Sequence, residues 1–322
     1  MLSDEIASTS DSLSLGTLAV CLAKYWQQQQ VASQSLLSRL NRILPLFIGK
    51  AYCWEALGEG VRGVYSQAPL FRFDAFDCVT FVNTVLSLIY SDNFSSFEKN
   101  LRDIRYIHGQ IDYRQRTDWF TDLEWNPRAT SLGWLRDITH TVLGKHQAPL
   151  FKVAETIIDK KGWYAARTLE DLHLGTSIGL TEKKARLKRL QAEGLTFLPQ
   201  KSQLSYIPLS ACLDGNNDPI PAVWAQFPSA YVLQIVRPDW AIKDNWIDPQ
   251  GRVRGYGTNL NVSHLGIVVT DVSTKTPIFY HASRVKNTVV SIPLRDYLQS
   301  YVGHETIKGI HIEAILDSPW EK

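Results

Sequence analysis

The change in residue pattern after about residue 203 constrains the fold of this chain most strongly. From there to the C-terminus, short runs rich in β-branched and aromatic residues alternate with Pro, Gly, Asn and Asp, which is typical of strands joined by turns. The runs are LSYIPLS, SAYVLQIVR, VSHLGIVVTD, PIFYHAS, NTVVSIPL and GIHIEAIL. Their close spacing predicts a mainly antiparallel sheet or a small barrel.

The chain before this region is predicted to be mainly helical. Apolar residues three and four apart run through LAVCLAKYWQQQQVASQSLLSRLNRILPLFIGKAY, interrupted by a short Gln run. A further helix is predicted from Cys78 to Tyr90, and another over residues 179–195 with Thr181 as N-cap and Gly194 as C-cap. Helices first and strands later predict the α+β fold class.

Composition indicates a folded protein of one large domain or two closely packed domains. The 322 residues are 44% hydrophobic and 20% charged, with a formal net charge of +2. The one dense basic cluster, TEKKARLKRL, is predicted to be an exposed helix face, so no nucleic-acid partner is expected.

The N-terminus has acidic residues where an export signal has basic ones, and its apolar run is too short to cross a bilayer. We therefore expect no export signal and no integral membrane segment in the sequence as given. The oligomeric state is left open.

One of the four cysteines stands at a position that favours chemistry. Cys21, Cys53, Cys78 and Cys212 lie far apart, without the spacing of a zinc site or a dense disulfide framework, so no metal is predicted. Cys78 follows Asp77 at the start of a predicted helix, where the dipole and free N–H groups favour a thiolate and can hold an oxyanion. Cys78 is therefore a candidate nucleophile. A small buried hydrophobic side chain is the alternative, and it is the interpretation for the other three cysteines.

Two histidines lie within predicted strands and supply the base that a nucleophilic thiol needs. His264 precedes Gly266, which allows close approach of substrate or another backbone, and His281 lies on the next predicted strand. The two rings are predicted to lie side by side, with His264 as base and His281 as its orienting partner. A hydrogen-bonded structural histidine is the alternative for each. His311, on a later strand, competes for the orienting role.

Three motifs taken together resemble a known enzyme family. FDCVTFV (residues 76–82), NLNVSHLGIVV (259–269) and FYHAS (279–283) resemble the N-acetylmuramoyl-L-alanine amidase-like branch of the NlpC-type cysteine hydrolases, which are papain-related enzymes that cut bacterial peptidoglycan. This branch was formerly known as a domain of unknown function. IGKAYCWEALGEG (48–60), RQRTDWFTDLEWN (114–126) and SYIPLS (205–210) resemble further segments of the branch, in the family order Cys, His, His.

The resemblance implies a papain-like NlpC-type core with its nucleophile at a helix N-terminus packed on the sheet or small barrel. It implies that residues 1–47 form an extra N-terminal helical segment. It further implies that residues 48–322 form the hydrolase domain, with a helical insertion around 100–200.

The resemblance also implies catalytic roles. Cys78 would be the nucleophile, His264 the base and His281 the third, polar member of the site. Asp77 would shape the pocket floor. Tyr52 would line the substrate cleft, although a core aromatic side chain is the alternative for this residue.

A wall specific to the branch is implied for the segment around Arg116. The predicted substrate-binding residues are Tyr52, Asp77, Arg116, Trp119, Asp122 and Ser263, with Asp118 in the same wall; surface salt bridges are the alternative for its charges. Two positions depart from the branch. Asn83 stands where the branch often has an acid, and Asp118 where an aromatic residue or histidine is expected.

The implied activity is amide hydrolysis of peptidoglycan or muropeptides by acyl transfer, without a metal or organic cofactor. The favoured bond joins N-acetylmuramic acid to L-alanine, and the alternative lies within the stem between D-glutamate and the diamino acid. A non-catalytic peptidoglycan-binding module of the same fold is a rival from another class. A thiol-dependent acyltransferase or a peptidase acting on host protein keeps the chemistry with another substrate. The implied setting is the periplasm or the exterior of a bacterium.

Overall fold

A computed structural model of the protein describes residues 34–241, 257–271 and 273–318, positions 22 and 26, and the backbone of 246–247 and 253–254. The helices are α1 (Leu36–Ile43), α2 (Cys78–Ile89), α3 (Phe94–Arg105), α4 (Asn126–Ser131), α5 (Lys160–Ala165), α6 (Leu180–Gly194), α7 (Leu209–Cys212), α8 (Pro221–Trp224) and α9 (Leu294–Gln299). The strands are β1 (Ala51–Tyr52), β2 (Ala75–Phe76), β3 (Leu135–Asp137), β4 (Lys152–Ile158), β5 (Gln200–Pro208), β6 (Ala230–Ala241), β7 (Trp246–Ile247), β8 (Val253–Arg254), β9 (Asn259–Thr270), β10 (Pro277–Ser283), β11 (Thr288–Pro293) and β12 (Gly309–Ile315). This mixed content confirms the predicted α+β class.

A large open sheet dominates the fold. Its strand order is β2-β1-β11-β10-β9-β6-β12-β5-β4, and β3 pairs with β12 at one side of this path. Its strand pairs are antiparallel except for β1 and β2, which run parallel. Because β2 and β4 form separate ends, the sheet is open rather than a closed barrel. The six runs identified in the sequence correspond to β5, β6 and β9 to β12, which confirms the predicted antiparallel arrangement.

Helix α2 begins at Cys78 because a reciprocal cap fixes its first turn. The backbone N–H of Thr80 donates to Asp77 Oδ1 at 2.8 Å, and the N–H of Asp77 donates to Thr80 Oγ1 at 3.0 Å. The helix is apolar on most of its surface and packs against β9 and β10. It ends one residue before the predicted Tyr90. The cap and this packing hold the cysteine over the middle of the sheet.

Two other helices in the described part refine the sequence expectations. Helix α1 lies within the predicted N-terminal helical stretch, and its Leu40 and Ile43 join the core that contains α2. The remainder of that stretch before Gln34 falls largely outside the described residues. Helix α6 starts at Leu180 rather than after Thr181, because the Lys183 N–H bonds to the carbonyl of Gly179 at 3.0 Å. The predicted N-cap was therefore wrong, and the C-cap is Leu195, one residue after the predicted Gly194, which is the last residue of the helix.

The segment around 100–200 contains helices, as predicted, but also strands β3 and β4. Strand β4 pairs with β5 along its length, and β3 pairs with the C-terminal β12. The segment therefore extends the sheet on one side.

The proposed domain division at residue 47 stays a prediction. Among the described residues, the helices are too short or too polar to span a bilayer.

Candidate active site

A pocket of about 310 Å³ opens where the N-terminus of α2 meets β9. The structure brings most of the predicted site residues to its wall, namely Tyr52, Asp77, Cys78, Arg116, Trp119, Ser263 and His264. His281 lies behind His264, in contact with it. Asp122 does not line this pocket. Residues from β1, α2, the segment before α4, β6 and β9 therefore converge on one concave site, although they are far apart in the sequence.

Cys78 is half-buried at the first position of α2, with its side chain on the pocket wall. Burial, together with the neighbouring Asp77 carboxylate, raises the pKa of its thiol to about 12. Backbone N–H groups of Leu265, Val79 and Cys78 itself oppose this rise. The net pKa shift is opposite to the one expected from a helix N-terminus, because burial outweighs the backbone amides. The resting sulfur is therefore a protonated thiol that needs a base.

His264 on β9 and His281 on β10 are joined by a hydrogen bond. His264 Nε2 lies 2.8 Å from His281 Nδ1, so the rings have the side-by-side placement that the sequence predicted. Burial lowers the pKa of His264 well below its usual value, and burial lowers the pKa of His281 to about 4. Both imidazoles are therefore neutral near pH 7. When His264 Nε2–H donates to His281, His264 Nδ1 keeps a lone pair that can accept a proton.

Aromatic side chains hold His281 in place. Its ring stacks on Phe279 at a centroid distance of 4.7 Å, and Tyr297 from α9 packs at 5.0 Å. Gly266 is required beside them, because a Cβ there would lie 2.8 Å from the Cβ of His281 and 2.5 Å from the carbonyl oxygen of Tyr280. The sequence indicated close approach at Gly266 but gave no signal for Tyr297, which follows His281 on a different element.

His311, the rival for the orienting role, is engaged elsewhere. Its Nδ1 lies 2.8 Å from the carbonyl oxygen of Ser205 and 3.0 Å from Thr139 Oγ1. Its Nε2 lies 3.8 Å from Glu313 Oε1, within a buried polar group on β12. His311 therefore belongs to the structure around β12 and β5, and His281 is the imidazole next to His264.

Arg116 is buried in an ion pair rather than exposed in a surface salt bridge. Its Nε donates to Glu59 Oε1, and the two side chains are 2% and 5% exposed. Its guanidinium lies 4.9 Å from the ring centres of both Tyr113 and Trp119. Arg116 Nη2 is buried without a hydrogen-bond partner among the described residues. Glu59 was not identified in the sequence, because nothing in a Gly-rich loop signals a buried partner.

Asn83 and Asp118, the two departures from the branch pattern, contact each other. Asn83 Nδ2 donates to Asp118 Oδ1 at 2.7 Å, and Arg105 Nε donates to Asp118 Oδ2 at 3.0 Å. Trp125 Nε1 donates to Asn83 Oδ1 at 2.6 Å. Asp118 lines the pocket, so the amide and the acid act as one hydrogen-bonded unit beside the site.

The other predicted substrate-binding residues differ in their placement. Tyr52 lines the pocket while its ring belongs to the apolar core. Burial raises the pKa of Asp77 to about 6, and its carboxylate also caps α2. Ser263 Oγ donates to the carbonyl of Ile235 at 3.3 Å.

Asp122 lies away from the pocket. Ser202 and Asn261 donate to its Oδ2 at 2.6 and 2.8 Å, so its predicted role as a wall residue is not supported by its position.

The remaining cysteines stand outside this site. Cys212 is fully buried in the core, Cys53 is half-buried, and neither forms a disulfide. Cys21 lies outside the described residues. Across the part of the chain that the structure describes, His, Cys, Asp and Glu side chains form no cluster of three or more suited to a metal ion.

The depressed pKa of His281 predicts a pH-dependent stability. The pKa of His281 is about 4 in the folded protein and about 6.5 in the unfolded chain. Above pH 6.5 the histidine is neutral in both states, so its titration does not reduce the stability of the folded protein. The free energy of unfolding should fall as pH decreases from about 6.5 to about 4, because the unfolded chain binds the proton first. Urea unfolding of wild type and His281→Gln across this range measures the effect.

The comparison with His281→Gln reports on His281 together with the bonded His264, whose pKa is also lowered, whereas Asp77, with its raised pKa, changes stability in the opposite direction in both proteins. We expect the difference in unfolding free energy between wild type and variant to shrink as the pH falls. A difference that stays constant between pH 7 and pH 4 would contradict a neutral, buried His281.

Comparison with known proteins places the chain in a family. A family model described as AmiA-like, N-acetylmuramoyl-L-alanine amidase-like, matches residues 42–305. The chain therefore belongs to the N-acetylmuramoyl-L-alanine amidase-like family. A search of curated proteins gave no match.

Solved structures show the same fold. A crystal structure of a Legionella pneumophila protein, assigned to the family DUF1460, is 31% identical and has a TM-score of 0.82, with coverage of 96% of this chain and 97% of that one. Two crystal structures of an N-acetylmuramoyl-L-alanine amidase from Bacteroides uniformis are each 18% identical, with TM-scores of 0.51 and 0.54. They cover 89% of this chain and 99% and 100% of theirs, and at this identity the likeness concerns the fold.

Proposed function

We propose that this protein is a bacterial peptidoglycan hydrolase that cleaves the amide between N-acetylmuramic acid and L-alanine with Cys78 as its nucleophile. The observation that carries the proposal is the convergence of Cys78 and His264 on one pocket, with His281 Nδ1 2.8 Å from His264 Nε2. Membership of the amidase-like family supports the choice of bond. A papain-like NlpC-type core is part of the proposal, since a cysteine at a helix start packed over strands is the arrangement that such a core requires.

The first half of the reaction forms an acyl-enzyme. Cys78 Sγ attacks the lactyl carbonyl carbon as its proton passes to His264, and backbone N–H groups at the start of α2 stabilise the oxyanion. His264 then protonates the alanine nitrogen, so the C–N bond breaks and L-alanine leaves as an amine. The muramoyl group remains on sulfur as a thioester.

The second half returns the enzyme to its resting state. Water attacks the thioester carbonyl while His264 accepts a proton from it, and the sulfur leaves and regains a proton from His264. Because burial makes thiol and imidazole neutral at rest, the proton moves from sulfur to His264 during attack rather than beforehand. His281 holds the His264 ring so that its other nitrogen stays available.

The family also supports an extracytoplasmic setting for the protein, either periplasmic or secreted. The proposed hydrolase domain starts near residue 48, close to the start of the family match at residue 42. In this proposal α1, whose Leu40 and Ile43 join the core that contains α2, belongs to an N-terminal addition to that domain.

Digestion of purified sacculi tests the proposed reaction. We expect release of stem peptides with a free L-alanine amino terminus and of glycan with intact muramic acid carboxyl groups, both identified by mass spectrometry. Cleavage between D-glutamate and the diamino acid would instead support the stem endopeptidase. Binding to sacculi without release of either product would contradict an enzyme and support a binding module. The Cys78→Ala variant serves as the matched control.

A further inference from the structure

Arg237 is a cation on the wall of the catalytic pocket that the proposed mechanism does not use. It lies on β6, half-buried, and lines the pocket together with Cys78 and His264. Its guanidinium packs over the ring of Trp240 at 4.7 Å, and its Nε donates to Thr306 Oγ1 at 2.6 Å. Arg237 is thus held by the Thr306 hydroxyl and the Trp240 ring. Neither carries a negative charge, so neither neutralises the guanidinium.

The contrast with Arg116 shows why this charge matters. Arg116 lines the same pocket but is neutralised by the buried carboxylate of Glu59. Among the described residues, Arg237 forms no ion pair, and its terminal nitrogens have no protein acceptor. A half-buried guanidinium without a carboxylate is suited to bind an anion from outside the protein, since its planar donors match a carboxylate.

The backbone of β6 is shaped to put Arg237 and Trp240 there. The pairing of β6 with β9 shifts between Ile235 and Val236, and again between Val236 and Trp240, so the strand bulges at this point. Asp239 within the bulge has a φ of 51°, a strained conformation for a residue other than glycine. Its carboxylate holds the bulge by accepting from Thr156 and Asn259, each at 2.7 Å. Such a bulge turns side chains toward a site that a regular strand would not present.

From this arrangement we infer that Arg237, supported by Trp240, binds a free carboxylate on the stem peptide of the substrate. This inference rests on the proposed function and names the substrate class of the same site. On β6, Ile235 lies opposite His264 and Arg237 comes two residues later, so at most about 7 Å of chain separates these two positions of β6, even across the bulge. In a muramoyl peptide, the D-glutamate α-carboxylate lies two residues beyond the scissile amide, which is also about 7 Å along an extended chain.

The chemistry of the stem makes this carboxylate a discriminating group. D-glutamate continues the stem through its γ-carboxyl, so its α-carboxylate is free, whereas amidation converts the residue to D-isoglutamine without changing its shape. An arginine donates to both forms, but the bidentate, charge-assisted pair forms only with the acid. The structure therefore assigns a preference for non-amidated stems.

Hydrolysis of two matched substrates tests the inference, MurNAc-L-Ala-D-Glu and MurNAc-L-Ala-D-isoglutamine. We expect wild-type kcat/KM to favour the acid by about 10- to 100-fold, the range of a charge-assisted hydrogen bond. Arg237→Gln should reduce this ratio to about 1, and Arg237→Lys, which keeps the charge, should restore part of it. Arg136→Gln is the matched control, because Arg136 is exposed on β3 outside the pocket, and it should keep the wild-type ratio.

The outcomes separate this inference from the proposed function. Equal cleavage of both substrates by wild type, or an unchanged ratio in Arg237→Gln, would overturn the assignment of Arg237 and leave the amidase proposal intact. Absence of cleavage of either substrate by wild type would contradict the proposed function, and the substrate assignment with it. A ratio that falls equally in Arg136→Gln would also overturn the assignment, because it would show a general effect of lost charge.

Discussion

Serine in place of Cys78 should lower kcat for muramoyl-peptide hydrolysis by about 10⁴-fold or more. The hydroxyl has a far higher pKa than the thiol, and burial reduces the basicity of His264, so proton transfer to His264 from an alcohol costs much more than from the thiol. The loss should appear in kcat and in kcat/KM alike, because the sulfur acts on the reacting carbon rather than in binding. Initial rates with a purified muropeptide measure it.

Two controls make the result specific to Cys78. Cys53→Ser replaces another half-buried thiol that does not line the catalytic pocket, and its activity should remain near the wild-type level. The unfolding free energy of Cys78→Ser should stay within about 1.5 kcal/mol of wild type, since the two side chains are nearly isosteric. A Cys78→Ser variant that is folded and retains wild-type kcat would refute the nucleophile assignment.

Breaking the buried pair of Arg116 and Glu59 should produce the largest loss of stability. Glu59→Gln or Arg116→Met should each lower the free energy of unfolding by about 3–5 kcal/mol, because either change leaves the remaining charge buried without its partner. Tyr113 and Trp119, which pack over the Arg116 guanidinium, are themselves buried and limit how fully water can solvate an unpaired charge there. Urea denaturation at pH 7 measures both losses.

A double variant and an exposed pair serve as controls for this prediction. Arg116→Met combined with Glu59→Leu removes both charges and should recover much of the stability lost in either single variant. Glu182→Gln breaks an exposed pair with Arg186 on α6 and should cost no more than about 1 kcal/mol. If the single variants at Arg116 and Glu59 cost as little as Glu182→Gln, the pair is not buried as described.

Local sequence patterns predicted the main sheet because their physical cause is local. Alternation and β-branched residues indicated β9 to β12, and the spacing of apolar residues indicated α2. The strands β3 and β4 were not predicted because their partners, β12 and β5, lie far along the chain and their sequences carry little alternation. Thr181 was taken for a helix cap because it has a capping side chain, but the backbone of Gly179 starts the helix instead.

The candidate site required information that no local pattern contains. Residue chemistry suggested His264 as the base for Cys78 and the family resemblance supported this pairing, whereas Arg116 was identified through the resemblance without its buried partner Glu59. The direction of the Cys78 pKa shift depends on burial, which is a property of the packed molecule, so a helix-start argument alone gave the opposite sign. Pro238, in the bulge of β6, is the sequence signal that could have drawn attention to Arg237, since proline in a strand often marks a bulge.

Mass spectrometry of the quenched enzyme tests the central claim, covalent catalysis by Cys78, most directly. Wild-type protein mixed with excess muramoyl peptide and acid-quenched within one turnover should carry a muramoyl group, and proteolytic mapping should locate this thioester on the peptide containing Cys78. The Cys78→Ala variant should carry no muramoyl group on this peptide. A muramoyl group attached elsewhere, or steady turnover of the wild-type protein without any adduct, would contradict the claim.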